Sequence, residues 1–248
     1  MSEQNIYDNQ TFFDGYKKLR ENPTSANNMV EKPALFSLLP NLAGKSVIDL
    51  GCGYGENCRE FSRLGAKKVL GIDISEKMLQ VAEQENKCNN VDFLRLSMND
   101  LAAINEKYDV VVSSLSIHYI KDFDRLMNNI ANLLAADGIF IYSQEHPMTT
   151  ALMHENYWSK DNEGNIIHYN LSDYSLLGER KVTWFVDGVT KYHRTFASIF
   201  NSLISAGFEI DKVLEPLPDK KTMEQYPLYK RYYHKPDFLL IKAKVMST

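Results

Sequence analysis

Three glycines in the stretch VIDLGCGYGENC have the spacing that most directly suggests chemistry. Gly51, Gly53 and Gly55 occupy alternate positions directly after a short apolar run. Glycine at such positions lets a ligand approach the backbone closely, or simply allows a tight turn. In an open α/β sheet, the turn after the first strand lies at the carboxyl edge, where ligands bind. The loop therefore marks a candidate small-molecule site, with a bare tight turn as the alternative.

Two carboxylates narrow the choice of ligand. A dinucleotide-binding loop needs G-x-G-x-x-G, but the third glycine position is Glu56 here, and a carboxylate would compete with a diphosphate for the N–H groups at the helix start. Asp73 follows about 20 residues after the loop, where an acidic residue can accept both hydroxyls of a ribose. Asp73 could instead only cap the helix that begins near Ser75. Together the two features favour a nucleoside without a pyrophosphate.

The elements around these residues alternate between strand and helix. The predicted strands are KSVIDL, KKVLGIDI, VDFLRL, YDVVVSSLS and GIFIYSQE, followed near the C-terminus by FEIDKVLEP and DFLLIKAKV. The predicted helices are TFFDGYKKLR, EKPALFSLLP, NCREFSRLG, SEKMLQVAEQENK, FDRLMNNIANLLAADG (ended by Asp137-Gly138) and TFASIFNSLISAG. Apolar strands separated by helices indicate a parallel, doubly wound α/β sheet that is covered on both faces.

The alternation breaks after Glu145. The following residues are polar, aromatic and strand-like, and WFVDGVTKY predicts a hairpin about an Asp187-Gly188 turn. We predict an N-terminal helical cap over residues 1–45, a cofactor-binding core over 46–145, an inserted lid or substrate region over 146–193, and the C-terminal part of the core over 194–248. The insertion follows a strand end, where a lid over the glycine loop would lie.

Composition disfavours several classes of protein. The net charge of −4 gives no general attraction for nucleic acid, and the basic segment YKRYYHK is better explained as a solvated lead-in to the last strand than as an RNA contact. No apolar run is long enough to span a bilayer, and the polar N-terminus does not resemble a signal peptide, so we expect a cytoplasmic protein. The three cysteines and six histidines lack metal-ligand spacing, and we expect no metal.

The stretches VIDLGCGYG, VLGIDIS and FDRLMNNIANLLAADGIFIYS resemble, in this order, the successive motifs of class I S-adenosylmethionine-dependent methyltransferases, of the small-molecule, methyltransferase-11-like type. The resemblance covers roughly residues 45–145. It implies a Rossmann-like, doubly wound, seven-stranded sheet with the last strand antiparallel, to which the N-terminal helical cap and the lid after strand 5 predicted above would be added. It also implies S-adenosylmethionine as the cofactor, and it does not specify a methyl acceptor.

The resemblance implies contacts at the methionine and ribose parts of the cofactor. The backbone of Gly51, Cys52 and Gly53 would lie against the methionine part. Asp49 would reach the ammonium group through water, and Asp73 would hold the ribose.

Further implied contacts, in chain order, are Tyr16, Arg20, Ile74, Met78, Ser97, Met98, Asn99, Ser113 and Ser114. Ile74 and Met78 would line the adenine, and the two serines that end the fourth strand would lie beside the methionyl group. Residues 97–99 depart from the family's pattern, in which an acidic residue followed by a small one contacts the adenine. Arg20 is a candidate partner for the cofactor's carboxylate, with a surface arginine as the alternative.

A sulfonium methyl donor needs alignment and exclusion of water, and a general base only if the acceptor is protonated. The candidate bases are His118, just past the fourth strand, His146, just past the fifth, and His193, after the hairpin. For each, a packed structural histidine is the alternative. The aromatic residues of the insertion could line an acceptor pocket or form a separate core; they are Tyr157, Trp158, Tyr169, Tyr174, Trp184, Phe185 and Tyr192.

We therefore predict an S-adenosylmethionine-dependent methyltransferase that acts on an oxygen or nitrogen atom of a small molecule. An RNA- or protein-modifying methyltransferase is an alternative, disfavoured by the net charge and by SSLSIH, which stands where an amino-methylating Asn-Pro-Pro-Tyr-type motif would follow strand 4. A non-catalytic cofactor-binding regulatory protein is a second alternative. A nicotinamide oxidoreductase is disfavoured by Glu56.

Overall fold

The computed structural model describes residues 4–154 and 156–245, and the elements below are those of this range. The strands are β1 Ser46–Leu50, β2 Lys68–Asp73, β3 Val91–Arg95, β4 Tyr108–Ser114, β5 Leu134–Glu145, β6 Trp158–Lys160, β7 Ile166–Tyr169, β8 Gly178–Trp184, β9 Val186–His193, β10 Phe208–Leu214 and β11 Phe238–Val245. The α-helices are α1 Gln10–Glu21, α2 Lys32–Ser37, α3 Glu56–Arg63, α4 Glu76–Glu85, α5 Phe123–Leu133, α6 Pro147–Ala151, α7 Phe196–Ser205 and α8 Lys220–Gln225.

One mixed sheet of seven strands forms the centre, in the order β10-β11-β5-β4-β1-β2-β3. β1 pairs parallel with both β2 and β4, so the strand order reverses at β1 and β4. β11 is antiparallel to both of its neighbours, β5 and β10. The predicted fold of seven strands with the last one antiparallel is confirmed. The reversal places a crevice at the carboxyl ends of β1 and β4, directly beyond the glycine loop.

Helices bury both faces of this sheet, which is why its strands are apolar in sequence. All five residues of β1 are buried. Because successive side chains of a strand alternate between faces, Ile48 packs in the core that contains residues of α5 and α7, and Val47 in the core that contains residues of α2 and α3. Because the sheet is packed on both faces, the ends of its strands have fixed positions, and so has the crevice beside them.

The helix predicted to run up to Asp137-Gly138 ends earlier, at Leu133, and β5 begins at Leu134. Between β4 and β5 the register shifts from the pair Tyr108 and Leu134 to the pair Val110 and Ile139. Asp137, with a φ of 57°, provides a left-handed residue within this irregularity. Asp137-Gly138 does mark a change of backbone direction, but this is a bulge inside β5 and not the end of α5.

The hairpin predicted about Asp187-Gly188 turns instead at Phe185, which has a φ of 58° and lies between the paired residues Trp184 and Val186. The predicted turn was therefore wrong by two residues. Gly188, with a φ of 76°, falls where the register of β9 shifts against β8. Tertiary packing decides the position of the turn, because the Phe185 ring lies 5.5 Å from the Phe12 ring of α1.

The inserted region contains two small antiparallel ribbons, β6-β7 and β8-β9. The buried guanidinium of Arg180 in β8 joins the loops around them. It donates hydrogen bonds to the carbonyl oxygens of Ala151 at 2.9 Å, Leu176 at 2.6 Å and Glu179 at 3.2 Å. These carbonyl groups come from three different segments, so Arg180 holds the base of the β8-β9 ribbon in place.

The basic segment YKRYYHK leads into the last strand, as expected, but it is only partly solvated, with Lys230, Tyr233 and His234 exposed. Tyr229, Tyr232 and Lys235 are buried. Lys235 and Arg231 both pair with Asp237, at 2.5 Å and 2.6 Å. One carboxylate thus offsets part of the segment's positive charge within the fold.

Replacing Arg180 by methionine tests its role in the inserted region. We expect Arg180→Met to lower the free energy of unfolding by about 1 to 3 kcal/mol, because buried carbonyl groups lose their donor. Chemical denaturation followed by circular dichroism measures this. Lys181→Met, at an exposed neighbour, is the control and should change stability by less than about 0.5 kcal/mol. Equal effects of the two substitutions would contradict this role of Arg180.

Candidate cofactor and acceptor cavity

A cavity of about 810 Å³ lies at the carboxyl ends of the parallel strands. Its floor includes Gly51 after β1, Asp73 at the end of β2, Ser114 at the end of β4 and Glu145 at the end of β5. Residues of α1 and of the β8-β9 ribbon cover it from the other side. The crevice predicted from the alternating elements is therefore partly roofed by α1 and the β8-β9 ribbon and remains open to solvent.

The glycine loop forms one wall of this cavity. Gly51, with a φ of 73°, donates to the Ile72 carbonyl at 2.8 Å, and a Cβ at this position would lie 2.6 Å from the Ser116 side chain. Gly53, with a φ of 54°, differs, because a Cβ there would meet nothing within 4 Å. Gly51 is thus required by the close packing of the turn. The absent side chain at Gly53 leaves open space beside the backbone for a ligand.

Asp73 joins the glycine loop to the next helix and also faces the cavity. Its Oδ2 accepts from the Gly53 N–H at 2.9 Å, and its Oδ1 accepts from the Ser75 N–H at 2.8 Å. Ser75 is the N-cap of α4, and its hydroxyl accepts from the Met78 N–H. Each carboxylate oxygen can accept more than one hydrogen bond, so Asp73 still has capacity for ligand hydroxyls. Burial raises the pKa of Asp73, against the backbone bonds that lower it.

Asp49 lies beneath the loop instead of on the cavity wall. It is 1% exposed, its Oδ2 accepts from the Cys58 thiol at 3.6 Å, and its Oδ1 has no hydrogen-bond partner within the described ranges. Burial raises the pKa of Asp49 to about 7. A buried carboxylate with one unpaired oxygen is stabilised by a positive charge nearby.

Most of the predicted cofactor contacts line the cavity. They are Tyr16, Arg20, Gly51, Gly53, Asp73, Ile74, Met78, Met98, Asn99 and Ser114. Ser97 instead accepts from the Asn99 N–H, and Ser113 donates to the Leu50 carbonyl at 2.9 Å. Cys52 lies in a small adjoining pocket, and burial raises the pKa of its thiol to about 11. Ser97 and Ser113 thus brace the turns behind the contacts, and Cys52 lies beside the glycine loop in the adjoining pocket.

Arg20 is not the surface arginine of the alternative interpretation. Its side chain is 17% exposed, lines the cavity and pairs with Glu56 in the first turn of α3. It also donates to the side-chain oxygen of Asn27. Arg20 therefore lies where α1 meets the glycine loop.

His118 is the one of the three candidate histidines that lines the cavity. It is buried, and its Nδ1 has no hydrogen-bond partner in the part of the chain that the structure describes. Burial lowers the pKa of His118 to about 4; Glu145 opposes this shift, and Lys191 and Arg194 add to it. His118 is therefore neutral at physiological pH and able to accept a proton.

The other two candidate histidines are engaged in the structure around the cavity. His146 caps α6 by accepting from the Met148 N–H, and its Nε2 pairs with Glu215 at 2.8 Å. His193 bonds the Thr150 hydroxyl at 2.9 Å and the Tyr174 carbonyl at 2.8 Å. Because both ring nitrogens of each are engaged, these two positions correspond to the packed structural histidines of the alternative.

The aromatic residues of the insertion divide between the two alternatives. Trp184 and Tyr192 line the cavity. Trp158 packs on Tyr169 at 5.0 Å between ring centroids, in a separate small cluster with the Lys235 ammonium 5.2 Å from the Tyr169 ring. Some of these aromatic residues therefore line the cavity, and others form a separate small cluster.

Several residues of the cavity region were not among the predicted contacts. The Tyr7 hydroxyl lies 3.4 Å from that of Tyr119, and both residues line the cavity. Glu145 pairs with Lys191, and Glu31 is fully buried behind Ser114. Glu145 could be found because it ends a predicted strand. Tyr7 and Glu31 carry no local signal, since only the folding of the N-terminal segment onto the sheet brings them there.

Within residues 4–154 and 156–245, no cluster of three or more histidine, cysteine or acidic side chains could hold a metal ion. The helices in that part of the chain are all too short or too polar to cross a membrane.

Comparison with known proteins gives concordant matches. Residues 41–197, more than half of the chain, match the profile of a family described as "Methyltransferase domain". A Haemophilus influenzae protein of unassigned function is 40% identical over 245 residues, 96% of each chain. A crystal structure described as a candidate S-adenosylmethionine-dependent methyltransferase from Listeria monocytogenes is 36% identical, with a TM-score of 0.81 over 88% of this chain and 97% of that one. An S-adenosylmethionine-dependent methyltransferase from Mesorhizobium loti is 33% identical, with a TM-score of 0.80 over 89% and 98%.

Relatives named for a methyl acceptor match only in part. The malonyl-[acyl-carrier protein] O-methyltransferase of Bacillus anthracis is 30% identical over 145 residues, which are 55% of this chain and 54% of that protein. The chain thus spans about half the length of this relative.

The raised pKa of Asp49 gives a pH-dependent stability. Between the ordinary pKa of 3.8 and the folded value of about 7, the folded state holds a proton that the unfolded state has lost. Raising the pH through this window therefore lowers the stability of the wild type. Asp49→Asn removes this group, so urea denaturation from pH 4 to pH 8 should show the variant gaining stability relative to the wild type as the pH rises. Parallel stability curves would show that Asp49 titrates normally.

Proposed function

Because this chain belongs to the class I S-adenosylmethionine-dependent methyltransferases, we propose that it transfers the methyl group to an oxygen or nitrogen atom of a small molecule. It is a methyltransferase with S-adenosylmethionine as its cofactor. The observation that carries the proposal of a small acceptor is the partly roofed cavity, in which the glycine loop and Asp73 form one end and His118 and Glu145 the other. Its volume of about 810 Å³ lies within the range of small-molecule pockets, which is about 300 to 1,000 Å³.

The residues at the first end fit the cofactor. The open space beside Gly53 would admit the methionine part, and the free lone pairs of Asp73 would accept the ribose hydroxyls. Ile74, Met78 and Met98 offer apolar surface to an adenine ring. S-adenosylmethionine supplies an electrophilic methyl group on a sulfonium, so the protein's task is mainly to orient the acceptor and exclude water.

The roof supports a small acceptor over a macromolecular one. The Trp184 ring at the tip of the β8-β9 ribbon lies 5.2 Å from the Phe12 ring of α1, edge to face. Phe185 stacks on Trp184 at 5.1 Å. Because this contact covers part of the cavity, a small acceptor is easier to accommodate than an RNA or protein substrate.

At the other end of the cavity, His118 and Glu145 support the removal of a proton from an O–H or N–H group of the acceptor; we call this the acceptor end. His118 is neutral because burial and the neighbouring cations lower its pKa, so its ring has a lone pair available for the proton. The same surroundings make it a weak base, and only Glu145 among them favours the protonated ring. Glu145 is held ionised by its pair with Lys191, and its pKa is lowered. The carboxylate can accept a hydrogen bond from the acceptor and can stabilise positive charge that develops on His118.

The overall test is transfer of labelled methyl groups. The protein is incubated with methyl-labelled S-adenosylmethionine and the small-molecule fraction of a cell extract, and products are separated by chromatography. Label in a metabolite supports the proposal. Label only in added RNA or protein would support the macromolecular alternative, and cofactor binding without transfer to any fraction would support a regulatory protein.

Asp73→Ala tests the ribose contact. We expect it to weaken S-adenosylmethionine binding at least about a hundredfold in calorimetry, because two hydrogen bonds to a charged oxygen pair are lost. Ser75→Ala is the matched control: it removes the cap of α4 and costs about 1 kcal/mol of stability, but it leaves cofactor affinity within a few fold. Equal loss of affinity in both variants would mean that Asp73 acts only through the helix cap.

His118→Gln tests proton removal. We expect the rate of methyl transfer to fall about a hundredfold while S-adenosylmethionine affinity changes less than about threefold. The wild-type rate should stay constant from pH 8 down to pH 6, because a group with a pKa of about 4 does not titrate there. His146→Gln, outside the cavity lining, is the control and should retain most of the rate. A normal rate in His118→Gln would remove this residue from the proposal.

A further inference from the structure

Glu31 is a fully buried carboxylate that the reaction proposed above does not use. It ends the π-helical turn Asn27–Glu31, which joins the segment after α1 to α2, and its exposure is 0%. A buried carboxylate is costly unless its oxygens accept hydrogen bonds. Both oxygens of Glu31 do so, and their donors lie on two sides of the cofactor end of the cavity.

On one side, Oε1 holds the ends of two strands. It accepts from the hydroxyl of Ser114 at 2.9 Å, at the end of β4, and from the hydroxyl of Ser143 in β5. Ser114 lines the cavity beside the glycine loop. Glu31 is thus anchored to the rigid sheet.

On the other side, Oε2 accepts from the side-chain nitrogen of Asn27 at 2.6 Å. Burial raises the pKa of Glu31. Its Oε2 accepts in this contact, so the NH₂ group of Asn27 faces Glu31 and the amide oxygen faces away. That oxygen accepts from Nη1 of Arg20. Glu31 therefore fixes which way the amide points, and the amide fixes one edge of the guanidinium.

The other edge of Arg20 is fixed by Glu56, which Lys32 also contacts at 3.5 Å. A guanidinium has five N–H donors, and these two contacts leave others for a ligand. Arg20 lines the cavity on the side of Gly51, Gly53 and Ser114, where the methionine part of the cofactor would lie.

We propose that Glu31 and Asn27 are positioning residues for the amino-acid end of the cofactor. Glu31 orients Asn27, Asn27 orients Arg20, and Arg20 receives the cofactor's carboxylate. This inference rests on the proposed function, because it assumes a nucleoside with an amino-acid tail in this cavity.

The test compares two ligands that differ at that end. S-adenosylhomocysteine and 5′-methylthioadenosine share the nucleoside and the thioether, but only the first carries the amino-acid group. In calorimetry, we expect Asn27→Leu and Glu31→Leu to weaken S-adenosylhomocysteine binding about tenfold and to leave 5′-methylthioadenosine within about twofold. Glu31→Gln should largely retain the discrimination, since its carbonyl oxygen can accept from Asn27 while its NH₂ group donates to the serine hydroxyls.

A matched control separates this effect from general destabilisation. Asp109 accepts from the Ser46 N–H at 2.7 Å at the opposite end of the sheet, so Asp109→Asn should leave the affinities for both ligands unchanged. Parallel weakening of both ligands in the Asn27 and Glu31 variants, or unchanged S-adenosylhomocysteine binding, would overturn the proposal. If the folded wild type binds neither ligand, the proposed function itself fails.

Discussion

The carboxylate of Asp73 is the interaction on which the arrangement of the site depends. It ties the backbone of the turn after β1 to the backbone of the turn after β2, since Gly53 and Ser75 donate to its two oxygens. These turns belong to successive βα units, and only the parallel pairing of β1 with β2 brings them together. The same side chain therefore shapes the glycine loop and presents an acceptor to the cavity. The Asp73 carboxylate thus serves both the fold of the loop and the recognition of a ligand.

The N-terminal segment provides part of the cavity wall that the sheet does not. The strands supply a floor with fixed turns, but the roof comes from α1 and from the β8-β9 ribbon, which are more than 150 residues apart in sequence. Aromatic rings join them, since Phe12 of α1 contacts the stacked pair Trp184 and Phe185 edge to face. A polar network below them, from Arg20 through Asn27 to Glu31, joins α1 to the ends of β4 and β5. The cap and the sheet thus meet around the cofactor end of the cavity.

The sheet and the cofactor end could be predicted because their signals are local. Alternating apolar runs predict the strands, and the glycine spacing followed by Asp73 predicts the loop and its acidic partner. The acceptor end depends on tertiary packing. Nothing in the spacing of His146 and His193 distinguishes them from His118, since only their partners, Glu215 and Thr150, show that they are engaged elsewhere. The shifted hairpin has the same origin: ring packing prevailed over the preference of Asp-Gly for a turn.

The tip of the roof is held in an unfavourable backbone conformation. Phe185 is a bulky residue in the left-handed region, which costs roughly 1 to 2 kcal/mol. Its ring rests over Gly15, where even a methyl group would stand 2.6 Å from the ring. The contacts of this ring with Phe12 and Trp184 offset part of that cost. A larger residue in place of Gly15 would push the ring away from α1 and loosen the joint between the helix and the ribbon.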